Sequence, residues 1–248
     1  MIIVQLSDLH VGSQFLQEKF DILVEEVNQL QPDVIVVTGD LTNEGLMKEY
    51  EKCKVLLAKF NTKKILSISG NHDYRNTGYL LFKKFFPFET INELDDDVVL
   101  ITLGTARPDR NEGEVGYRQN LWLERTMKKY KDKVKILAMH HHLIPIPDTG
   151  SDQLTVVDAG DVLRTILDTG VDLVLCGHKH RPWVWNFGKL MVVNAGAATS
   201  ERVRGLFDNT YNIITVSNKQ VTVDLKIVGG KRVPIDDIVN NYSQFGDD

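Results

Sequence analysis

All seven histidines of this 248-residue chain fall in four short segments. The segments read SDLHVG, GNHDY, MHHHLIP and GHKHRP, and a fifth segment, TGDLTN, contributes the carboxylate of Asp40. Imidazole and carboxylate groups are ligands that Zn, Fe, Mn and similar first-row ions prefer. The segments hold more of these donors than one tetrahedral ion can use, and a carboxylate can bridge two ions through its two oxygens. The donor set therefore indicates a dinuclear metal site that could clamp a phosphoryl group.

Each segment follows a short apolar run rich in β-branched residues, which is typical of a buried strand. Such runs occupy residues 2–6, 33–39, 64–70, 98–104, 134–140 and 171–177. Helical spacing of apolar residues lies between them, at 16–30, 46–60, 79–86, 121–130 and 162–167. This alternation predicts parallel strand pairs, and ligands of such sheets bind beyond the strand C-termini. We expect one edge to collect these donors: Asp8, His10, Asp40, Asn71, His72, His140, His178 and His180.

A purely structural role competes for each of these residues when it is taken alone. A single histidine is more often a surface or core residue than a ligand, and Asp or Asn beside glycine commonly caps a helix or forms a turn. The pairs Asp8/His10 and His178/His180 favour the metal, because side chains two apart on an extended chain point the same way. Turns alone do not explain why every histidine follows a strand.

The pattern changes after Gly177. Strand-like runs at 183–196, 211–217 and 220–228 follow with little helix between them, and Gly188-Lys189 and Asn218-Lys219 are typical of hairpin turns. The two halves together predict an α/β fold, a four-layer α-β-β-α sandwich of two mixed β-sheets flanked by helices. We expect a single domain over residues 1–248, with a polar tail from about residue 229 that is poorly ordered at its end.

Composition and charge narrow the function classes. Lys and Arg total 29 against 34 Asp and Glu, a net charge of −5, which makes nucleic acid an unlikely partner. Cys53 and Cys176 are not spaced as a metal-binding pair, so a disulfide scaffold or a Cys-rich zinc site is excluded. No apolar run approaches the ~20 residues that cross a bilayer, and the first residues do not resemble a signal peptide. We expect a soluble, cytoplasmic protein without a membrane partner.

The ordered set DLH, GDLTN, GNHD, a His after the fifth strand, and GHKH resembles the motifs of the calcineurin-like metallophosphoesterases. The resemblance covers roughly residues 1 to 200 and is specific as an ordered set, whereas any one motif is weak. It implies a pair of mixed sheets flanked by helices, in agreement with the strand and helix pattern. It also implies a centre of two Mn, Fe or Zn ions and hydrolysis of a phosphate ester by a hydroxide that bridges them.

The same resemblance assigns ligands residue by residue. The implied ligands of the first ion are Asp8, His10 and His180, those of the second ion are Asn71, His140 and His178, and Asp40 is the implied bridge. The triple histidine leaves one choice open. His140 follows its strand immediately, which favours it, and His141 is the alternative ligand.

Further roles around the metals also follow from the resemblance. His72 matches the family histidine that contacts the phosphate and can protonate the leaving oxygen. Asp73 is expected to orient His72, and Asn43 is expected to brace the Asp40 loop through hydrogen bonds.

Substrate class depends on weaker signals. Residues 113–129, GEVGYRQNLWLERTMKK, resemble a segment of class III cyclic-nucleotide phosphodiesterases, which favours a small or cyclic-nucleotide diester. Within the superfamily the alternatives are a phosphomonoesterase and a nuclease, and outside it a non-catalytic metal-binding scaffold. A nuclease would need a basic groove, and a scaffold would be expected to have lost ligands. Arg75 and Arg181 lie beside motif segments and are candidate contacts to a small-molecule phosphate ester, although either could be a solvated loop residue. The oligomeric state is left open.

Overall fold

The computed structural model of the protein describes residues 1–88, 90–150, 155–205 and 207–240. Its strands are β1 Ile2–Leu6, β2 Val34–Val37, β3 Ile65–Ser67, β4 Ile91–Glu93, β5 Val98–Thr102, β6 Val134–Ala138, β7 Leu173–Cys176, β8 Trp183–Phe187, β9 Leu190–Asn194, β10 Thr210–Ser217, β11 Gln220–Ile227 and β12 Arg232–Pro234. Its helices are α1 Gln17–Leu30, α2 Met47–Leu57, α3 Gly78–Phe85, α4 Tyr117–Met127, α5 Ala159–Thr169 and α6 Asp236–Asn240.

The first sheet has the strand order β12-β11-β10-β1-β2-β3. Strands β1, β2 and β3 pair in parallel, with Val4 opposite Ile35 and Val36 opposite Leu66. Strand β10 pairs antiparallel with β1, and β11 and β12 extend the sheet as antiparallel neighbours. The C-terminal ends of β1, β2 and β3 therefore lie at the same edge, and three of the five motif segments begin there.

The second sheet has the strand order β4-β5-β6-β7-β9-β8. Strands β5, β6, β7 and β9 are parallel, and the outer strands β4 and β8 pair antiparallel. Ala138 at the end of β6 lies opposite Leu175, and Cys176 at the end of β7 lies opposite Asn194 at the end of β9. The segments that follow β6, β7 and β9 consequently leave the sheet at one edge.

The two sheets pack face to face around alternate residues of their strands. Ile3, Val36 and Ile136 belong to the core between the sheets. Their neighbours Val4 and Leu137 point outward, into clusters that α1, α2 and α3 form on the first sheet and α4 and α5 on the second. Because side chains alternate between the faces of a strand, sheets covered on both faces give continuous apolar runs. The predicted four-layer sandwich of two mixed sheets is confirmed.

Several element boundaries differ from the sequence expectation. The three-residue edge strands β4 and β12 were not predicted, because runs this short have no usable hydrophobic pattern. The segment from Gly229, expected to be a polar tail, carries β12 and α6, and its Ile235 and Ile238 are buried against the core between the sheets. The expected disorder at the chain end concerns residues 241–248, which lie outside the described residues.

Among the described residues, no helix is both long enough and apolar enough to span a bilayer.

Candidate metal centre

Loops from both sheets meet at the shared edge and hydrogen-bond to one another. The backbone N–H of Asp8 donates to Gly39 O at 3.0 Å within the first sheet. In the second sheet the N–H of Gly177 donates to His140 O at 2.8 Å. Between the sheets, the N–H of His178 donates to Asp8 Oδ2 at 3.1 Å. The segments after β1, β2, β6 and β7 are therefore fixed relative to one another by short hydrogen bonds.

The backbone of these loops turns sharply at the donor residues themselves. Left-handed φ angles occur at Asp8 (53°), His10 (48°), Asp40 (50°), His178 (77°) and His180 (54°). This region is unfavourable for residues other than glycine, at a cost of about 1–3 kcal/mol each, and it clusters where function needs a particular side-chain direction. Five of the eleven non-glycine residues with a left-handed φ among the described residues are thus predicted ligands.

Asp8, His10 and His180 form one group of buried donors. The Nε2 atoms of His10 and His180 lie 2.9 Å apart, and Asp8 Oδ1 lies 3.3 Å from His180 Nε2. The other carboxylate oxygen, Oδ2, accepts the Ser7 hydroxyl at 2.6 Å as well as the His178 N–H. Asp8 Oδ1 is buried and has no hydrogen-bond partner in the described part of the chain. One oxygen of Asp8 is thus held in place and the other is directed at the two imidazoles.

Asn71, His140 and His178 form a second group next to the first. Asn71 Oδ1 lies 2.9 Å from His178 Nδ1 and 3.1 Å from His140 Nε2. The amide nitrogen of Asn71 donates to Asn111 Oδ1 at 3.4 Å, which turns the amide oxygen toward the histidines. Three potential ligand atoms therefore converge at the end of β3, β6 and β7.

Asp40 lies between the two groups. Its Oδ2 atom is 3.4 Å from His140 Nε2 and 3.8 Å from His10 Nε2. Its Oδ1 atom accepts the backbone N–H of His72 at 2.8 Å. A single carboxylate oxygen consequently faces a donor of each group, which is the position that a bridging ligand requires.

Backbone carbonyls fix the tautomers of two of these histidines. His140 Nδ1 lies 2.7 Å from Thr38 O, and His180 Nδ1 contacts Arg202 O. A carbonyl can only accept, so Nδ1 carries the hydrogen in both rings, and in the neutral form Nε2 keeps its lone pair. A hydrogen bond of this kind commonly orients metal-binding histidines. Both Nε2 atoms point into the donor groups.

His141 is close to the second group but its ring nitrogens are engaged elsewhere. Ligand atoms of His140, His141 and His178 all lie within 4.8 Å of one another, so distance alone leaves His141 open. Its Nε2 lies 3.1 Å from the carbonyl of Asn111 and its Nδ1 lies 2.8 Å from the Thr105 hydroxyl. Nε2 must donate to the carbonyl, and Nδ1 then accepts from the hydroxyl. Neither nitrogen of the neutral ring retains a lone pair for a metal.

Electrostatics separates these histidines into neutral and charged rings. Burial lowers the pKa of His10 to about 3 and holds the pKa of His178 well below its ordinary value. Burial also opposes the charge of His140, but Asp40, together with Asp8 and the carbonyl of Thr38, outweighs it and raises the pKa of His140 to about 9. Burial likewise opposes the charge of Asp40, yet His140 and His72 hold the pKa of Asp40 well below its usual range. In the metal-free protein, a proton on His140 supplies part of the positive charge that this acidic site needs.

The chemistry of the donors fits first-row metal ions. Imidazole nitrogens, carboxylate oxygens and one amide oxygen converge, and Asp8 Oδ1, which accepts no hydrogen bond among the described residues, is a buried anionic atom that a cation would satisfy.

Comparison with known proteins identifies the family to which the part of the chain with these donors belongs. The family model of the calcineurin-like phosphoesterases matches residues 1–182, which contain every one of the donors above. The chain belongs to the calcineurin-like phosphoesterase family. It is accordingly a metal-dependent phosphoric ester hydrolase of a family with a dinuclear metal centre.

Several proteins with similar sequences are named as phosphodiesterases. The chain is 28% identical to a probable glycerophosphodiester phosphodiesterase, GpdQ, of Arcobacter nitrofigilis over 81% of this chain and 80% of that protein. It is 30% identical to a cAMP/cGMP dual specificity phosphodiesterase of Mycobacterium tuberculosis over 72% of this chain and 61% of that protein. It is 26% identical to the 3',5'-cyclic adenosine monophosphate phosphodiesterase CpdA of Escherichia coli K12 over 76% of this chain and 74% of that protein.

Solved structures share the fold at low identity. A dimetal phosphatase from Danio rerio superposes with a TM-score of 0.70 at 10% identity, over 95% of this chain and 98% of that one. A purple acid phosphatase from yellow lupin seeds superposes with a TM-score of 0.71 at 13% identity, over 94% of this chain and 52% of that one. These two solved structures therefore share the fold of this chain.

One of the two residues expected to support the site makes different contacts from those expected. Asp73 was expected to orient His72, but its carboxylate accepts the N–H groups of Leu41 at 3.2 Å, Thr42 at 2.8 Å and Gly70 at 2.9 Å. It therefore braces the Asp40 loop and does not hold the His72 ring.

The His72 ring is held by Asn43 instead. His72 Nδ1 lies 2.7 Å from the backbone carbonyl of Asn43, while the Asn43 side chain donates to Ser13 and Glu44. Asn43 also ties the Asp40 loop to the loop after β1, through its side chain to Ser13 and its N–H to Val11 O at 3.3 Å. Only the expectation for Asp73 was wrong, because a motif specifies residue types, whereas the acceptor of His72 is a main-chain oxygen that any residue could supply.

The two predicted arginines lie in different surroundings. Arg75 lines the cleft above the donor groups, where its Nη1 donates to Glu44 Oε1 at 2.8 Å and to Asn43 O at 3.3 Å. Arg181 does not line this cleft. It is 3% exposed, its Nη2 lies 3.3 Å from Asp148 Oδ2, and its guanidinium lies 5.5 Å from the ring centre of Phe207. Arg181 packs behind the site, and the expectation that it contacts the substrate was wrong.

Sequence reasoning missed several residues that line the cleft. Asn111, Lys179, Arg202 and Arg204 border it together with the predicted residues. The sequence did contain a signal for Arg202 and Arg204. They lie in SERVRG, shortly after the strand-like run that ends before Ala195, and so follow a strand as the motif segments do. What the sequence did not reveal is that β9 lies parallel to β7, so that this segment emerges beside GHKH.

Proposed function

We propose that this protein is a phosphodiesterase for small diesters, with two first-row metal ions, Mn, Fe or Zn, at the edge where the sheets meet. Asp8, His10 and His180 would hold one ion and Asn71, His140 and His178 the other, with Asp40 between them. His140 is preferred to His141 because its Nε2 retains a lone pair when Nδ1 donates to Thr38 O.

One observation carries the proposal. Asp40 Oδ2 lies within 3.4 Å of a donor in one group and 3.8 Å of a donor in the other. A site for a single ion would not need a carboxylate oxygen shared between two clusters. A binding scaffold without catalysis would not need His72 beside them, in the lining of the cleft.

The ions, when bound, would activate water and offset the negative charge that builds on the phosphoryl oxygens. As the imidazolium, with hydrogen on both ring nitrogens, His72 would supply the Nε2 proton to the leaving oxygen and be left as the neutral ring. Its Nδ1–H donates to Asn43 O, which fixes the ring and leaves Nε2 as the atom directed to the substrate. The ring of His72 stands edge-on to His10 at a centroid distance of 4.5 Å, so the proton donor is adjacent to the first donor group.

The preference for a diester is supported by the relatives and by charge. The sequence relatives described above are named as phosphodiesterases of glycerophosphodiesters or cyclic nucleotides. A small diester needs a few contacts, whereas duplex DNA needs many phosphate contacts from a basic surface. The net charge of −5 favours the small substrate.

A substrate panel tests the proposal. Rates would be measured on bis-p-nitrophenyl phosphate, p-nitrophenyl phosphate, cyclic AMP and duplex DNA with Mn, Zn, Fe or no added metal. We expect metal-dependent hydrolysis of the diester with weak salt dependence and little cleavage of DNA. A strong preference for the monoester would make the protein a phosphatase, and efficient salt-sensitive DNA cleavage would make it a nuclease. Absence of hydrolysis with every metal would favour the scaffold.

A further inference from the structure

The segment after β9 is anchored to the loop that carries Asp8 and His10. The N–H of Ala198 donates to Ser7 O at 2.9 Å, the N–H of Glu201 donates to Gln14 O at 2.8 Å, and the Thr199 hydroxyl donates to Leu9 O at 3.0 Å. The side-chain amide of Asn209 donates to both Ala197 O and Ser200 O. The backbone at residues 197–202 is therefore held rigidly against the first donor group.

Arg202 lies at the end of this anchored segment and has two distinct contacts with the site. Its backbone carbonyl accepts Nδ1–H of His180, and its N–H donates to the Ser200 hydroxyl at 3.1 Å. Its side chain is exposed and borders the cleft that contains Asp40, His72 and His178. The main chain thus supports a metal-binding histidine while the guanidinium faces the space where an ester would lie.

Arg202 differs from Arg75 and Arg204, the other arginines of the cleft, in the contacts of its guanidinium. Arg75 is bound to Glu44 at 2.8 Å, and Arg204 Nη1 donates to Thr149 O at 2.6 Å. The guanidinium of Arg202 makes no hydrogen bond or ion pair with a residue in the described part of the chain. Apart from Asp40, no carboxylate among the described residues lines the cleft. An anionic group that enters the cleft meets Arg202 without having to displace an internal partner.

We propose that Arg202 is a substrate-binding residue whose guanidinium takes an anionic oxygen of the ester. This rests on the proposed phosphoesterase chemistry and adds to it the group that recognises the charge of the substrate. A guanidinium presents paired N–H donors that match phosphate and carboxylate oxygens. The oxygen could belong to the phosphate under attack or to a second anionic group of the same ester. In either case the planar guanidinium would bind a negatively charged oxygen through its N–H groups.

Kinetics of Arg202→Ala, Arg202→Lys and the wild type test the proposal on two esters with the same leaving group. Ethyl p-nitrophenyl phosphate has one anionic group, and 2-carboxyethyl p-nitrophenyl phosphate has a second. We expect Arg202→Ala to raise KM by about 10- to 100-fold, as loss of a hydrogen bond to a charged group predicts, with little change in kcat. Arg202→Lys should recover part of the loss because it restores the charge without the fork. A rise on both esters assigns Arg202 to the phosphate under attack, and a rise on the carboxyethyl ester alone assigns it to the second anion.

Metal content separates this role from a structural one. Substitution of the side chain leaves the carbonyl that holds His180, so both ions should remain in Arg202→Ala. Arg164→Ala, on an exposed arginine of α5, is the matched control and should leave KM unchanged. An unchanged KM on both esters, or loss of an ion in Arg202→Ala, would overturn the proposal.

If the wild type hydrolyses no diester, the proposed function fails, and inorganic phosphate binding to the metal-loaded protein tests Arg202 instead. The same fold-change in Kd supports its role, and an unchanged Kd overturns it.

Discussion

Asp40 and His140 face each other across the two sheets, with Oδ2 and Nε2 separated by 3.4 Å in a fully buried setting. The carboxylate raises the pKa of the imidazole to about 9, although burial acts in the opposite direction. His140 Nδ1–H donates to Thr38 O, so the additional proton sits on Nε2, the atom proposed to bind a metal. Metal and proton therefore compete for one nitrogen.

This competition predicts that metal binding releases a proton and strengthens with pH. A pKa of about 9 means that His140 is charged at pH 7 in the metal-free protein, and the ion must displace its proton. Lower pH favours the protonated, metal-free form. Affinity for the second ion should therefore fall by about tenfold for each pH unit below 9 and become independent of this group above it. Titration calorimetry in two buffers of different ionisation enthalpy measures the proton count.

His141→Gln is the control for this experiment, because burial keeps the pKa of His141 well below its ordinary value and it has no proton to release. Its proton count should match that of the wild type. Identical binding enthalpies in the two buffers for the wild type would show that His140 binds the metal without losing a proton, contrary to the argument.

His72→Ala should keep both ions and lose turnover. The ring contacts Asn43 O and borders the cleft, and the Asp40 contact comes from its backbone N–H, which alanine retains. We expect kcat to fall by roughly 10²–10⁴ for a general acid, and by less for esters with good leaving groups such as p-nitrophenol. Metal analysis together with rates on a series of leaving groups checks this. Loss of an ion, or an equal loss for all leaving groups, would count against the acid role.

His140→Ala and His141→Ala should fail in different ways. The first removes a proposed ligand, so one ion should be lost with the fold retained. The second removes a ring that links Thr105 to Asn111, so both ions should remain while unfolding becomes easier by about 1–3 kcal/mol, the cost of unpaired buried groups. Metal stoichiometry and denaturant unfolding of both variants distinguish them. If His141→Ala loses the ion and His140→Ala does not, the ligand has been assigned one residue too early.

Much of the sandwich was predictable because its strands are local patterns. The β-branched runs that end at Asp8, Asp40 and His140 predict both the strands and the edge at which their side chains meet. The order of strands was not predictable in the same way. Strand β10 pairs with β1 although Ile214 and Ile3 are more than two hundred residues apart, and no local pattern selects that partner.

The types of the side chains that converge at the site were predictable, and the groups that hold those side chains in place were less so. Side chains such as His178 are specified by a motif, but Asn43 O and Arg202 O act through the main chain, where any residue could supply the same atom. Arg181 was misplaced for a related reason. It follows GHKH directly, yet the chain turns into β8 at that point and carries the guanidinium over Phe207, behind the site.

The close packing of Gly70 against Asp40 gives a prediction that depends on the backbone rather than on a ligand. A Cβ atom at Gly70 would lie 2.1 Å from Asp40 Oδ1 and 2.4 Å from Asp40 N, so Gly70→Ala must displace the residue proposed to bridge the ions. A misplacement of about 1 Å at a catalytic group can cost about 100-fold in rate. We expect a loss of that order with reduced metal content, measured by hydrolysis of bis-p-nitrophenyl phosphate and by metal analysis. Gly104→Ala is the matched control, since its Cβ would meet its nearest neighbour, Phe88, at 3.9 Å, an ordinary contact. If Gly70→Ala kept the wild-type rate and metal content, the Asp40 loop could move without affecting the ions. The position of Asp40 between the two donor groups would then no longer support its role as the bridging ligand.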